Sequence, residues 1–401
     1  MSGGHISERC KIVKLMLEEL GRRGHEVVRL VDATDILNRS ALHYIAEEGC
    51  IEILELLCMS SANMSVNGVD FHGFTPLHLA VRNGHDAVVE RLLKLQSIDA
   101  NVPATVNAAG LTPLQYSVQN SHWEVVELLL EKGNPSATLN INAVDSEGRT
   151  PLQLAVMNRR MAVVRLLLER EGINIDAVDS AGLTPLQYSV QNSHWQVVEL
   201  LLTKGKPTLN IDAVDSTGRT PLHFAIECGR MEVVSLLLQR EGINIDAVDS
   251  EGRTPLHFAI ECGPMAVVRL LVEREGINID AVDRAGLTPL QYSVQNSHWE
   301  VAELLLEKGN PFATLDYHGQ CGVFEGLLHL ATKNEKKTIA IQLLNTLGSR
   351  MNDFADRSTK FPGNQSLSGQ SRLLASAAVS NHFEIIKYIV KWQPEVNVNE
   401  T

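Results

Sequence analysis

Leu111–Leu130 reads LTPLQYSVQNSHWEVVELLL, and the same stretch returns at Leu183–Leu202 and Leu287–Leu306 with one change each. A second block, GRTPLHFAIECG, stands identically at Gly218–Gly229 and Gly252–Gly263. Both blocks turn on Thr-Pro-Leu. Aligned there, copies start at Thr75, Thr112, Thr150, Thr184, Thr220, Thr254 and Thr288, at steps of 37, 38, 34, 36, 34 and 34 residues. Self-similarity at such a period marks a repeat architecture, in which each unit buries its apolar faces against its neighbours. Weaker copies at Ser40-Ala41-Leu42-His43 and Gly326–Ala331, with a last apolar unit over Arg372–Val390, bring the count to ten.

Each unit spells helix, turn, helix, hairpin. Thr is a good N-cap, and Pro fits the first helical position because its missing N–H costs nothing there. Gln115, Gln153, Gln187 and Gln291 stand three residues after their caps, the spacing of a capping box. The following segment, such as Val125-Val126-x-Leu128-Leu129-Leu130, is apolar at helical spacing and predicts a second helix buried on one side. Next come a β-like run such as Ile173–Val178 and a turn, Asp179-Ser180-Ala181-Gly182, where Gly supplies the positive φ.

Phe71–Leu93, FHGFTPLHLAVRNGHDAVVERLL, follows closely the pattern D-x-x-G-x-T-P-L-H-x-A, then G-H, V-V, L-L. The chain therefore resembles the ankyrin repeat family, well over residues 33–345 and loosely at its ends. The resemblance implies an all-α fold, an α-solenoid of stacked helix–turn–helix units with β-hairpin loops. It places an N-terminal helical cap region at 1–32, the repeat array at 33–348, a polar loop insertion at 349–370 and a divergent capping repeat with its tail at 371–401.

The composition agrees. Of 401 residues 44% are apolar, too many for a disordered chain, yet only 5% are aromatic, as thin two-helix layers leave little room for rings. No apolar run approaches the ~20 residues that span a bilayer. The six Cys include no C-x-x-C pair, which points to a reducing compartment: cytoplasm, nucleus or, for a microbial effector, the host cytosol. The net charge of −13 argues against a nucleic-acid partner.

Two kinds of unit alternate irregularly. Units starting at Thr112, Thr184 and Thr288 carry Leu before Thr, Tyr in the first helix and Asn-Ser-His-Trp at the inter-helix turn. Units at Thr150, Thr220 and Thr254 carry Arg before Thr and Met after the turn. Trp123, Trp195 and Trp299 open second helices and are expected to cover the outer or inter-unit surface.

Ankyrin proteins bind partners through hairpin tips and the inner face of the first helix, so the resemblance maps a candidate site onto this chain. At the tips it selects Phe71, His72, Phe74, Leu111, Glu147, Arg149, Leu183, Arg219, Glu251, Arg253 and Leu287. Late in the first helices it selects Arg82, Asn83, Gln119, Asn120, Met157, Asn158, Gln191, Asn192, Glu227, Glu261, Gln295 and Asn296. Leu111, Leu183 and Leu287 read as apolar steps, the three Arg as cationic ones, and the amides as a ladder suited to peptide backbone. An extended or helical acidic segment of a protein partner fits such a surface. The competing reading is that Arg219 and Arg253 simply pair with nearby Glu.

No catalytic, metal or cofactor motif is found. G-x-x-x-x-G-K-[ST], G-x-G-x-x-G and G-x-S-x-G are absent, and His25-Glu26-Val27-Val28-Arg29 lacks the second His of H-E-x-x-H. His223 and His257, and likewise Cys228 and Cys262, sit in adjacent units ~10 Å apart, too far to share one metal or form a disulfide. The expected function is a monomeric, non-catalytic interaction module, whether scaffold, adaptor or regulator, without membrane insertion. Two alternatives stand beside it: a microbial effector acting on host proteins through the array, and an enzyme with its site in the divergent ends.

Overall fold

The structure, a computed structural model, describes residues 32–60, 64–104, 109–132, 139–205 and 209–308, with isolated positions outside them. The expected terminal cap, the 349–370 loop and the last capping repeat lie outside the described residues, apart from a few scattered positions. The chain divides into two compact units, Met1–Ser216 and Thr217–Thr401.

Among the described residues the first unit holds five helix pairs: α1 Ala41–Glu48 and α2 Ile51–Ser60, α3 Pro76–Arg82 and α4 Asp86–Leu93, α5 Pro113–Asn120 and α6 Trp123–Lys132, α7 Pro151–Met157 and α8 Met161–Leu168, α9 Pro185–Gln191 and α10 Trp195–Lys204. Among the described residues the second holds three: α11 Pro221–Glu227 and α12 Met231–Leu238, α13 Pro255–Glu261 and α14 Met265–Val272, α15 Pro289–Gln295 and α16 Trp299–Lys308. Within each unit of the chain, first helices stack on first helices and second on second. Helices of 7 to 10 residues are too short to hold in water by themselves, so this stacking sustains them.

Every first helix from α3 onward starts the same way. Thr75 sits extended at φ −80°, ψ 164°, and Pro76 takes the first helical position. The His78 N–H donates to Thr75 Oγ1 at 3.3 Å, and the Thr75 N–H donates back to His78 Nδ1 at 3.2 Å. In α7 the Gln153 side chain replaces the ring, its Oε1 accepting from the Thr150 N–H at 2.8 Å. The far end of the same side chain then reaches the next repeat. His78 Nε2 lies 3.1 Å from Leu111 O, and Gln153 Nε2 donates to Leu183 O at 2.7 Å. His and Gln interchange here because each carries an acceptor near the backbone and a donor farther out.

The second helices bury a stripe at i, i+1, i+4 and i+5, as with Val88, Val89, Leu92 and Leu93 in α4. Each such side chain contributes ~1.5–3 kcal/mol when fully buried. Two glycines close the turn between helices against the following repeat. Gly49 and Gly84 have φ +75° and +69°, and a Cβ added to either would meet the ring of His85 or His122 at 2.6 or 2.9 Å. Ser121, Ser193 and Ser297 take the same left-handed position elsewhere, at φ 67°, 58° and 60°.

The β-like runs expected between repeats are not strands; among the described residues they are chains of turns. Their Asn and Asp side chains capture the backbone groups that a ladder would need. Asn174 Oδ1 accepts from the Asp176 N–H two residues on, at 3.2 Å. The second side chain of each pair then accepts from the next repeat. Asn142 Oδ1 takes the Asn174 N–H at 2.8 Å, Asp176 takes the Asn210 N–H at 3.1 Å, and Asp246 takes the Asn278 N–H at 3.1 Å. Burial pushes the Asp176 and Asp246 carboxyls upward from their ordinary pKa, against the bonds from Asn210 and Asn278.

Candidate functional site

At Asp70, Asp145, Asp179 and Asp249 the hairpin tip is organised by one aspartate. Asp145 Oδ1 accepts from the N–H groups of Glu147 and Arg149 at 2.9 and 2.8 Å, which folds the tip into a fixed turn. Asp70 does the same for His72 and Phe74, and Asp249 for Glu251 and Arg253. Successive tips are then joined by single backbone bonds, such as Ser180 N to Glu147 O at 2.9 Å and Arg284 N to Glu251 O at 2.8 Å.

The second oxygen of that aspartate separates the two kinds of repeat. In two of the repeats where Arg precedes Thr, the guanidinium takes it: Arg149 Nε to Asp145 at 2.8 Å and Arg253 Nε to Asp249 at 3.0 Å, while Arg219 Nε donates to Thr217 Oγ1 at 2.9 Å. In the repeats that start at Thr184 and Thr288, where Leu precedes Thr, the first-helix tyrosine takes it. Tyr292 donates to Asp283 Oδ2 at 2.8 Å, and Tyr188 donates to Asp179 Oδ2. Burial, then the bond to the carboxylate, pushes Tyr292 up to about 12 and Tyr188 upward as well.

The residues selected from sequence separate into three groups. Phe71 and His72 are exposed at their tip, with rings edge to face at 5.8 Å. Glu147, Glu251, Glu227, Glu261, Asn83, Gln119, Asn120, Asn158, Gln191, Asn192, Gln295 and Asn296 are exposed too, while Met157 and Arg82 are half-buried. Several of the amides are already engaged: Asn158 and Asn192 donate to Leu154 O and Tyr188 O at 2.9 Å, capping their own helices, and Asn83 donates to Glu47 O. The row of apolar steps is not continuous. Leu111 and Phe74 are each 3% exposed, and Leu183 and Leu287 are half-buried. Phe74, before Thr75, is held at the base of the tip by its own N–H and lodges between repeats against Tyr116 at 5.5 Å.

The three guanidinium groups are half-buried and internally partnered. Arg149 bonds Asp145 and Glu147, Arg219 bonds Glu227 at 3.2 Å, and Arg253 bonds Asp249 at 2.9 Å and Glu261 at 3.2 Å. Arg219 and Arg253 also lie flat on Phe224 and Phe258, at 4.4 and 4.5 Å from the ring centres. Burial opposes the charge on Arg253, but the bond to Asp249 and the negative charges of Asp249 and Glu261 together outweigh it and raise its pKa. The pairing with Glu is thus the arrangement present, and a partner carboxylate reaching these groups must displace it.

One row at this surface was not selected from sequence. Val69, Val144, Val178 and Val214 in the first unit, and Val248 and Val282 in the second, each precede a tip aspartate and are exposed; Val178 is 55% exposed. Alternation was the available signal. Ile175 and Ala177 point inward, so Val178 points out.

Among the described residues no cluster of three or more His, Cys, Asp or Glu is placed to hold a metal ion. Cys228 and Cys262 are not in disulfides, and burial pushes both thiols up. No described helix is long and apolar enough to cross a membrane.

The model of the family described as "Ankyrin repeats (3 copies)" matches residues 6–104, 95–179, 171–249 and 241–316. The chain belongs to the ankyrin-repeat family. Among solved structures the array is similar to the ankyrin repeat domain of Bcl-3, a member of the IkappaB protein family. That match has TM-score 0.50 and 33% identity over 58% of this chain and 98% of that one. Among curated proteins it is 47% identical over 57 residues to human transient receptor potential cation channel subfamily A member 1, covering 14% of this chain and 5% of that protein. It is 37% identical over 75 residues to the Saccharomyces cerevisiae phosphate system positive regulatory protein PHO81, covering 19% of this chain and 6% of that protein. The chain thus spans only a small part of the length of these curated relatives.

Proposed function

We propose that the array is a non-catalytic protein–protein interaction module that binds a protein partner along its hairpin tips and the late positions of its first helices. One observation carries this reading. In each of the seven repeats that carry Thr-Pro-Leu that segment is buried, while the residues on either side of it, at the tip and at the end of the helix, include exposed ones. The tips are fixed by the aspartates and joined to one another, so little ordering entropy opposes docking. The likeness to the ankyrin repeat domain of Bcl-3 supports an interaction role for the array. Scaffold, adaptor and regulator are all uses of such a face.

The test is cross-linking in cell extract with the full chain and a variant carrying Phe71→Ala, His72→Ala, Gln119→Ala, Val178→Ser and Gln191→Ala. These side chains are exposed, so the fold should persist, which circular dichroism checks. A partner cross-linked by the wild type should be lost from the variant. Recovery of the same partners by both removes the tip face from the reading.

A further inference from the structure

A second surface lies at the inter-helix turns, one first-helix length from the tips. Trp123, Met161 and Trp195 open α6, α8 and α10, three successive second helices packed side by side. Their equivalent positions set them in a row at ~8–10 Å per step. Trp123 is 52% and Trp195 50% exposed, and Met161 is half-buried between them. Large apolar side chains left open in a row mark interaction surfaces, and Trp is prominent among the residues that carry binding energy.

Two arginines interrupt this ridge at positions that oppose the fold. Arg159 is held at φ +55°, in the left-handed position that Gly49, Gly84 and Gly229 or serines occupy in other repeats. A residue with a long side chain is strained there. Arg160 is the N-cap of α8 and makes no cap bond, and its charge sits at the positive end of the helix dipole. Both are exposed, and neither forms an ion pair among the described residues. Glu124 follows Trp123, whereas the neutral Gln196 follows Trp195, so positive charge gathers toward the Trp195 end.

We propose that this ridge docks an amphipathic helix of a partner protein, with apolar residues at every seventh position and an acidic flank over Arg159 and Arg160. Seven helical residues rise ~10.5 Å, close to the upper end of the ~8–10 Å step from Trp123 to Met161 to Trp195. An extended chain covers the same step in three residues, which places successive contacts on opposite faces. The paired cations select carboxylates on the helix flank.

A synthetic helix of about twenty residues, with Leu at every seventh position and Glu on its flanks, tests this against a matching peptide with Lys flanks. The Glu peptide should bind the full chain and shift Trp emission to the blue, and the Lys peptide should not. Trp123→Ala with Trp195→Ala should weaken binding by about tenfold or more. Arg159→Gly should weaken binding while leaving the thermal midpoint unchanged or higher, because glycine relieves the backbone strain; misfolding then does not explain the loss. Equal binding of both peptides, full binding by the double Trp variant, or full binding by Arg159→Gly with Arg160→Ser would each overturn the proposal. So would loss of the peptide on Phe71→Ala with His72→Ala, which would place it on the tips instead.

Discussion

The Tyr292 hydroxyl donates to Asp283 Oδ2 at 2.8 Å, at the oxygen that Arg253 Nε occupies on Asp249 one repeat earlier. Two residues far apart in the repeat pattern, one before the cap and one inside the helix, are thus alternative partners for one carboxylate. The two kinds of repeat differ at this point for a single structural purpose, which is to close the tip.

Removing the hydroxyl tests that purpose. Tyr292→Phe should cost ~1–3 kcal/mol, as expected for a hydrogen bond to a charged group, and adding Leu287→Arg should recover part of it. Urea denaturation of the full chain measures both. Tyr292 should also ionise only near pH about 12, later than an ordinary tyrosine. The absorbance titration near 295 nm should therefore lose a late step in Tyr292→Phe.

The capping histidines make stability fall in acid. Burial, opposed only partly by the bonds to Leu111 O and Arg253 O, lowers His78 and His223 to about 4, and it lowers His43 and His257 as well. Folded pKa values below the unfolded 6.5 mean that the unfolded chain binds more protons between them. Stability is then complete above about pH 6.5 and declines toward pH about 4. His78→Gln, which places the side chain used in four other repeats, should keep ~2–3 kcal/mol of what the wild type loses over that range. Urea midpoints at pH 7.5 and pH 4.5 give the comparison, and equal losses in the two proteins would refute it.

Glycine is required at the inter-helix turn in some repeats and not in others. Gly84→Ala meets both a positive φ and the His122 ring 2.9 Å away, and should cost ~2 kcal/mol or more. Gly229 has the same hand of φ but nothing within 4 Å of an added Cβ, so Gly229→Ser should cost no more than ~1 kcal/mol. Thermal midpoints of the two variants should differ in that order.

The turn ladder between repeats needs an acceptor but not a charge. Asp176 accepts the Asn210 N–H, and burial holds its carboxyl above the ordinary pKa. A folded pKa raised above the unfolded one favours folding below the unfolded pKa, and that preference is lost as pH rises through the folded pKa. Asp176→Asn should therefore raise the thermal midpoint at pH 7, since Asn142 already does this work one repeat earlier. Asp176→Ala leaves a backbone N–H without its acceptor and should cost ~1–3 kcal/mol.

Much of this was legible in the chain itself. The Thr-Pro-Leu period, the capping spacing at Gln115 or Gln153 and the Val-Val-x-x-Leu-Leu stripe fix helix, cap and stacking order, because they depend on local geometry and on a repeated apolar face. What the sequence could not decide is where the side chain before Thr goes. Leu111 and Arg149 occupy one position, yet the first is buried between repeats and the second reaches back to Asp145. Nor could it show that Arg219 and Arg253 are spent on Glu227 and Glu261, or that Trp123 and Trp195 stand half open. Those outcomes depend on neighbours about a repeat away, or on the far side of a helix, brought close only when the repeats stack. Local pattern determined the repeat; burial and pairing across repeats determined which of its residues remain available to a partner.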